Sequence, residues 1–205
     1  RFMPQKLMAY EGRAVVVDPD VFALGDVYEL FTRDMQGTGV MGRHRSGKQE
    51  KAWQIATSVM LMDCEKLRHW EPEKEFDELF QFKRDYKDWI VLRHESADNI
   101  GVLEDEWNDF DRLTENTRML HNTKRRTQPW KTGLPVDFTT ADKLKKYPVL
   151  AKLNHLRSRI FGEYGLLGHY HAHPDPKQEQ LFFGLVRECL EQGIISESLI
   201  EDEMR

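Results

Sequence analysis

The fold and chemistry of this chain turn on Val15-Val16-Val17-Asp18-Pro19-Asp20. Ala14 to Val17 is a short, mostly β-branched run between Gly12 and Asp18. That pattern reads as a strand buried on both faces and closed by a polar turn. Open α/β sheets bind ligands beyond the ends of their strands, and Asp18 and Asp20 stand at such an end. Two carboxylates one residue apart can both face one hard divalent cation. Such a cation can bridge a diphosphate and stabilise the charge that grows on it as it departs. The same Asp-Pro-Asp is also an ordinary turn, with proline at its second position and aspartate side chains accepting local hydrogen bonds. The fragment alone leaves both readings open.

Outward from this strand the chain alternates in type. Val27 to Phe31 reads as a helical turn after Gly25, and Gly37 to Lys48, rich in Gly, Arg and His, as a loop. Ser58 to Met62 reads as a second buried strand, followed by a short helix from Cys64 to Trp70. Pro72 opens a helix through Phe80, with glutamates in its first turn where the macrodipole favours them. Trp89 to Leu92, Ile100 to Leu103 and Thr117 to Leu120 are further strand candidates, the last leading into His121. Lys124 to Gly133 is basic and holds Pro129 and Trp130, so it reads as a loop. Ala141 to Phe161 reads as helical with an interruption at Pro148. In the last element Leu181, Leu185 and Cys189 repeat at four, as do Phe182, Val186 and Leu190, giving one wide apolar stripe. Pro174 and Pro176 precede it and Gly193 ends it. Mixed strands and helices make the class α/β. The expected organisation is a core over residues 1–140, with a helical extension over 141–205 packed on the same domain.

The 205 residues suffice for a domain with a substantial core. With 40% hydrophobic and 32% charged residues the balance is that of a soluble globular chain, not a disordered one. No apolar run approaches the ~20 residues needed to cross a bilayer, and no secretory signal pattern is present. The expectation is a cytoplasmic protein without a transmembrane segment. Cys64 and Cys189 lie in apolar-periodic segments and read as buried free thiols of a reducing compartment. A net charge of −5 argues against non-specific nucleic-acid binding. An anionic substrate would then need a local basic patch, and Lys124, Arg125, Arg126 and Lys131 supply one just after His121.

The run from Val15 to Phe31, with Asp18-Pro19-Asp20, Gly25-Asp26 and Leu30-Phe31, resembles the metal motif of glycosyltransferase family 8, the family of glycogenin and the bacterial lipopolysaccharide galactosyltransferases. Ser58-Val59-Met60-Leu61-Met62-Asp63 resembles the family's second strand. Trp107-Asn108 resembles its Trp-Asn pair. His121 through Pro129-Trp130 resembles its His-x-x-Gly-x-x-Lys-Pro-Trp motif. The matches keep the family's order from residue 14 to 133. The resemblance implies a GT-A-like fold, a mixed sheet flanked by helices. It implies transfer of a sugar from a nucleoside-diphosphate donor, a UDP-sugar foremost, to an acceptor with retention of configuration. It also implies a Mn²⁺ or Mg²⁺ ion held by Asp18, Asp20 and His121, a donor set of oxygen and imidazole that suits such ions. Lys124, Arg125, Arg126 and Lys131 would hold the donor diphosphate. No catalytic nucleophile can be named.

The chain departs from the family pattern at several points. Gln128 stands where the family has the lysine of Lys-Pro-Trp, and the spacing from His121 to Trp130 is one residue longer. Ala56-Thr57-Ser58 stands in place of Asn-Ser-Gly. An expected Asp-Gln-Asp motif between Asp63 and Trp107 has no match. The family has a β-α-β region before the metal strand that carries much of the nucleotide pocket, whereas only residues 1–13 precede the strand here, so an N-terminally incomplete domain is expected. Two alternatives stand beside the transferase. Asp18-Pro19-Asp20-Val21 also resembles the start of haloacid-dehalogenase-type phosphatases, with Asp18 as nucleophile. The other is a non-catalytic, glycosyltransferase-like binding module. His169, His171 and His173 alternate and could share a strand face toward zinc, but Gly168 and Pro174 favour a polar turn before the last helix.

Overall fold

The longest strand, β4 (Ile55–Asp63), is buried over residues 55–62, as its apolar run demands. A computed structural model describes residues 1–45, 54–136 and 168–203. The expected helix over 141–161 lies outside these residues. The chain forms two compact units, Arg1–Asn122 and Thr123–Arg205.

In the first unit β4 lies inside a four-stranded sheet ordered β1-β4-β3-β5, with β1 (Arg13–Val17), β3 (Val40–His44) and β5 (Ile100–Leu103). β1 and β3 run antiparallel to β4, while β5 runs parallel to β3, so the sheet is mixed. Side chains alternate across a strand, and here each face meets its own core. Val16, Val40, Met60 and Met62 pack with Phe2, Leu67, Trp70 and Ile100. Val59, Leu61 and Met41 pack with Leu30, Met35, Leu103, Trp107 and Met119. Each fully buried Leu or Met contributes on the order of 1.5–3 kcal/mol relative to exposure.

A second sheet, ordered β2-β7-β6, is small. It consists of β2 (Val21–Ala23), β7 (Met119–His121) and β6 (Asp109–Phe110). β2 is antiparallel and β6 parallel to β7, with Val21 and Phe110 both registered on His121. After the short helix α1 (Pro4–Leu7), helix α2 (Val27–Phe31) starts at Asp26, whose carboxylate accepts from Tyr28 N. The glutamate-rich first turn of α3 (Pro72–Phe80) follows expectation.

Three expectations are corrected. β1 is a strand but is not buried on both faces: it ends the sheet order, paired to β4 alone, with Ala14 and Val15 half-buried and Val17 exposed. The segment read as a loop from Gly37 to Lys48 contains the inner strand β3. Gly39 and Gly42 serve close packing: a Cβ at Gly42 would lie 2.5 Å from Ile55 Cγ2, beside the bulge between Gly42 and Arg43. Trp89 to Leu92 is not a strand. Helix α4 (Tyr86–Ile90) runs into it, because the Asp85 carboxylate caps Lys87 N and Asp88 N. A four-residue apolar run does not distinguish the two.

In the second unit, single turns at Arg125–Thr127 and Pro129–Lys131 occupy the segment read as a loop. Pro135 bridges His169, and helix α5 (Pro176–Glu191) follows, capped by Asp175 on Lys177 N. The Trp130 and Phe182 rings lie 5.4 Å apart. The alternating histidines form a polar turn: Tyr170 and His173 are buried, and His173 Nδ1 accepts from Asp175 N at 3.0 Å. Gly193, at φ +67°, follows α5, and helix α6 (Glu197–Glu203) comes after it. Cys64 is buried, Cys189 half-buried, and both are free thiols. Among the described residues no helix is long and apolar enough to cross a membrane.

Candidate metal centre

Strand register assembles the candidate site. β7 ends at His121, and β2, antiparallel to it, begins at Val21 directly opposite. Asp20, the residue before β2, therefore falls at the end of the sheet where His121 sits. β1 ends at Val17, and Asp18 N extends its ladder to Ser58 O at 2.8 Å. The Asp-Pro-Asp-Val turn is closed by its backbone, Val21 N to Asp18 O at 3.1 Å.

The two carboxylates take no part in closing that turn. Asp18 forms an ion pair with the Arg1 guanidinium, which also donates to Thr57 Oγ1 at 2.8 Å. Asp20 Oδ1 lies 3.4 Å from His121 Nε2. One donor atom each from Asp18, Asp20 and His121 lies within 4.8 Å of the other two. An ion with ~2.1 Å bonds spans ligand atoms up to about 4.2 Å apart, close to this spread. Two carboxylate oxygens and an imidazole nitrogen suit Mn²⁺ or Mg²⁺, so the residues present fit such an ion.

The imidazole is held from behind. His121 Nδ1 lies 3.0 Å from Asn108 Oδ1, and the Asn108 amide N–H donates to Ser58 Oγ at 2.8 Å. An amide oxygen only accepts, so the contact is a hydrogen bond when Nδ1 carries the proton, which leaves the Nε2 lone pair toward the aspartates. Burial lowers the His121 pKa; Asp20, Asp18 and Asp111 push it up and Arg1 pushes it down, leaving it below the ordinary histidine value. The neutral imidazole is the form that binds metals.

Arg43 on β3 organises the segment behind the ring. Its Nη1 donates to Asn108 O at 2.7 Å, its Nη2 pairs with Asp105 at 2.9 Å, and its guanidinium lies 4.3 Å over the Phe110 ring. Phe110 in turn meets the His121 ring edge-on at 5.6 Å. Asp111 follows β6 at φ +50°, with its N–H on His121 O at 2.9 Å.

The structure thus brings Asp18, Asp20 and His121 together. The sequence reading gave Asn108 no role and passed over Asp111 and Arg43. Their signal is the parallel pairing of β6 with β7, which no local pattern carries. Thr57 and Ser58, which replace the Asn-Ser-Gly pattern, are in use: the Thr57 hydroxyl donates to Ile90 O at 2.8 Å, and Ser58 holds Asn108. Lys124, Arg125, Arg126 and Lys131 belong to the second unit. The first three are exposed, whereas Lys131 Nζ lies 5.1 Å from the Tyr170 ring. Gln128 is buried.

The mixed sheet, its flanking helices and the acidic turn at a strand end define a GT-A-like glycosyltransferase fold. The particular likeness is to LgtC: an active-site mutant of it superposes with a TM-score of 0.52 at 13% identity, over 71% of this chain and 64% of that one. The galactosyltransferase LgtC in complex with donor and acceptor sugar analogues gives 0.47 at 15%, over 63% and 59%. The apo form of the glycosyltransferase GlyE of Streptococcus pneumoniae TIGR4 gives 0.48 at 17%, over 85% and 47%. The chain spans less than two thirds of the length of each of these structures. No protein-family model and no curated protein matches the sequence.

Proposed function

We propose that this chain carries the metal-binding part of a glycosyltransferase that moves a sugar from a nucleoside-diphosphate donor, a UDP-sugar foremost, to an acceptor with retention. The observation that carries the proposal is the donor set: Asp18, Asp20 and His121 offer ligand atoms within 4.8 Å, and neither carboxylate is spent on closing the turn. The GT-A-like fold supports it. In this reading Asp18 and Asp20 bind Mn²⁺ or Mg²⁺ by charge, and His121 binds through its neutral Nε2. A bound divalent cation supplies Lewis-acid stabilisation of the departing diphosphate. Lys124, Arg125, Arg126 and Lys131 are proposed to hold that diphosphate by charge-assisted hydrogen bonds. The organisation proposed is a catalytic core over 1–140 with a helical extension over 141–205. The two free thiols support a reducing, cytoplasmic setting. The phosphatase alternative gains no support from the fold, which is GT-A-like.

Isothermal titration of UDP-sugars with and without Mn²⁺, on the parent and on Asp18→Ala, tests this reading. Mn²⁺-dependent binding lost in the variant is expected. Hydrolysis of a generic phosphate ester, abolished in the same variant, would favour the phosphatase, and sugar-nucleotide binding without transfer would favour a binding module. An inverted product anomer would sink retention.

A further inference from the structure

We infer that Asn108, anchored by Ser58, is a positioning residue that holds the His121 imidazole as its Nδ1–H tautomer and aims the Nε2 lone pair between Asp18 and Asp20. The inference rests on the metal-centre reading, in which that lone pair has a cation to meet.

Two acceptors compete for the single proton of a neutral His121. Asp20 Oδ1 stands 3.4 Å from Nε2, and Asn108 Oδ1 stands 3.0 Å from Nδ1. A carboxylate is the stronger acceptor, and left to itself it would draw the proton to Nε2, where it blocks ligation. The shorter contact behind the ring opposes that draw. It does so only while the amide presents its oxygen rather than its N–H, and the Asn108 N–H is already occupied by Ser58 Oγ at 2.8 Å. Asn108 is fully buried, Ser58 is 6% exposed and His121 8%. Leaving a polar group unmet in such a place is costly, so the three side chains resist rearrangement as a set. The backbone of Asn108 is fixed independently by Arg43 Nη1 at 2.7 Å, and Phe110, under the same guanidinium, limits the ring from a second side. Removing the hydrogen-bond partner of a ligating histidine commonly changes metal affinity by about 10–100-fold.

The test uses the full chain with three variants: Asn108→Leu, which removes the acceptor; Asn108→Asp, which can only accept; and Ser58→Ala, which removes the anchor and keeps the amide. Side-chain ¹⁵N NMR of the metal-free protein at pH 8 reads the His121 tautomer, and electron paramagnetic resonance of free Mn²⁺ reads affinity. Expected are the Nδ1–H pattern in the parent and in Asn108→Asp, with Mn²⁺ affinity kept. Asn108→Leu and Ser58→Ala are expected to move signal toward the Nε2–H pattern and to weaken Mn²⁺ binding about 10–100-fold. If Asn108→Leu does not fold, Ser58→Ala decides. A parent with the Nε2–H pattern, or variants that keep both tautomer and affinity, overturns the inference. A parent that binds no Mn²⁺ while the variants still shift tautomer supports the positioning role and removes the metal reading instead.

Discussion

Replacing Asp20 by asparagine separates the two roles that an Asp-Pro-Asp turn can have. The turn is closed by Val21 N on Asp18 O, and the Asp20 side chain accepts none of its N–H groups. The substitution therefore takes nothing from the turn. Without a cation, two carboxylates with oxygens within 4.8 Å repel by about 0.9 kcal/mol in water and about 3.5 kcal/mol at an effective dielectric of 20. The Asp20 side chain is 33% exposed and Arg1 already sits on Asp18, so screening leaves a relief of about 1 kcal/mol. For a chain of this size that is a melting temperature about 3 °C higher. Differential scanning fluorimetry in EDTA is thus expected to show Asp20→Asn melting above the parent. With Mn²⁺ at a hundred times its Kd the order reverses, because binding stabilises the parent by about 2.7 kcal/mol, roughly 8 °C, and the variant far less. A variant that melts below the parent in EDTA refutes the reasoning, because the carboxylate would then be holding the turn.

Other outcomes follow from the packing and the charges. Leu61→Ala, at a fully buried position of β4, is expected to cost about 2–5 kcal/mol in urea unfolding. Gly42→Ala drives a Cβ to 2.5 Å from Ile55 Cγ2 and is expected to cost about 1–3 kcal/mol by the same assay. Burial raises the Glu95 pKa, but hydrogen bonds from Trp70, Asn99 and His69 outweigh it, leaving the carboxyl below its ordinary value. A depressed carboxylate contributes stability that is fully present above the unfolded glutamate pKa and is lost as pH falls through the folded one. Glu95→Gln should therefore flatten the acid limb of the stability curve below about pH 4.5, and an unchanged acid limb would refute the assignment. Neutralising Lys124, Arg125 and Arg126 together is expected to weaken UDP binding and its salt dependence while leaving Mn²⁺ affinity at the parent level, measured by calorimetry at two ionic strengths.

What the sequence made legible was whatever is written locally. The unbroken apolar stretch around Met60 and the four-residue repeats of α5 each state their own structure, because burial acts on neighbouring residues with a fixed period. The β-branched run before Asp18 announces a strand but not its place at the end of the sheet, which leaves Val17 exposed. Asp18, Asp20 and His121 were legible as a set only through a motif order that spans more than a hundred residues. β3 was not legible. Its Gly42 and Arg43 look like loop residues, yet Gly42 is required by a close approach from Ile55, and Arg43 by charges at Asp105 and Asp109. Trp89 to Leu92 was misread because the cap at Asp85 lies outside the apolar run. Asn108 and Asp111 escaped because their purpose depends on β6 lying parallel to β7, a pairing across sequence that no spacing announces.

The register of Val21 on His121 has a consequence for how the molecule matures. Because side chains alternate along a strand, a slip of one residue would turn His121 to the opposite face of its small sheet. The pairing joins residues a hundred positions apart in a ladder only three residues long. Closing so long a loop costs entropy before the contact rewards it. Asp18, Asp20 and His121 converge only with β2 and β7 paired in this register. A cation that binds there acts as a proofreader, retaining the molecules whose strands have met in step.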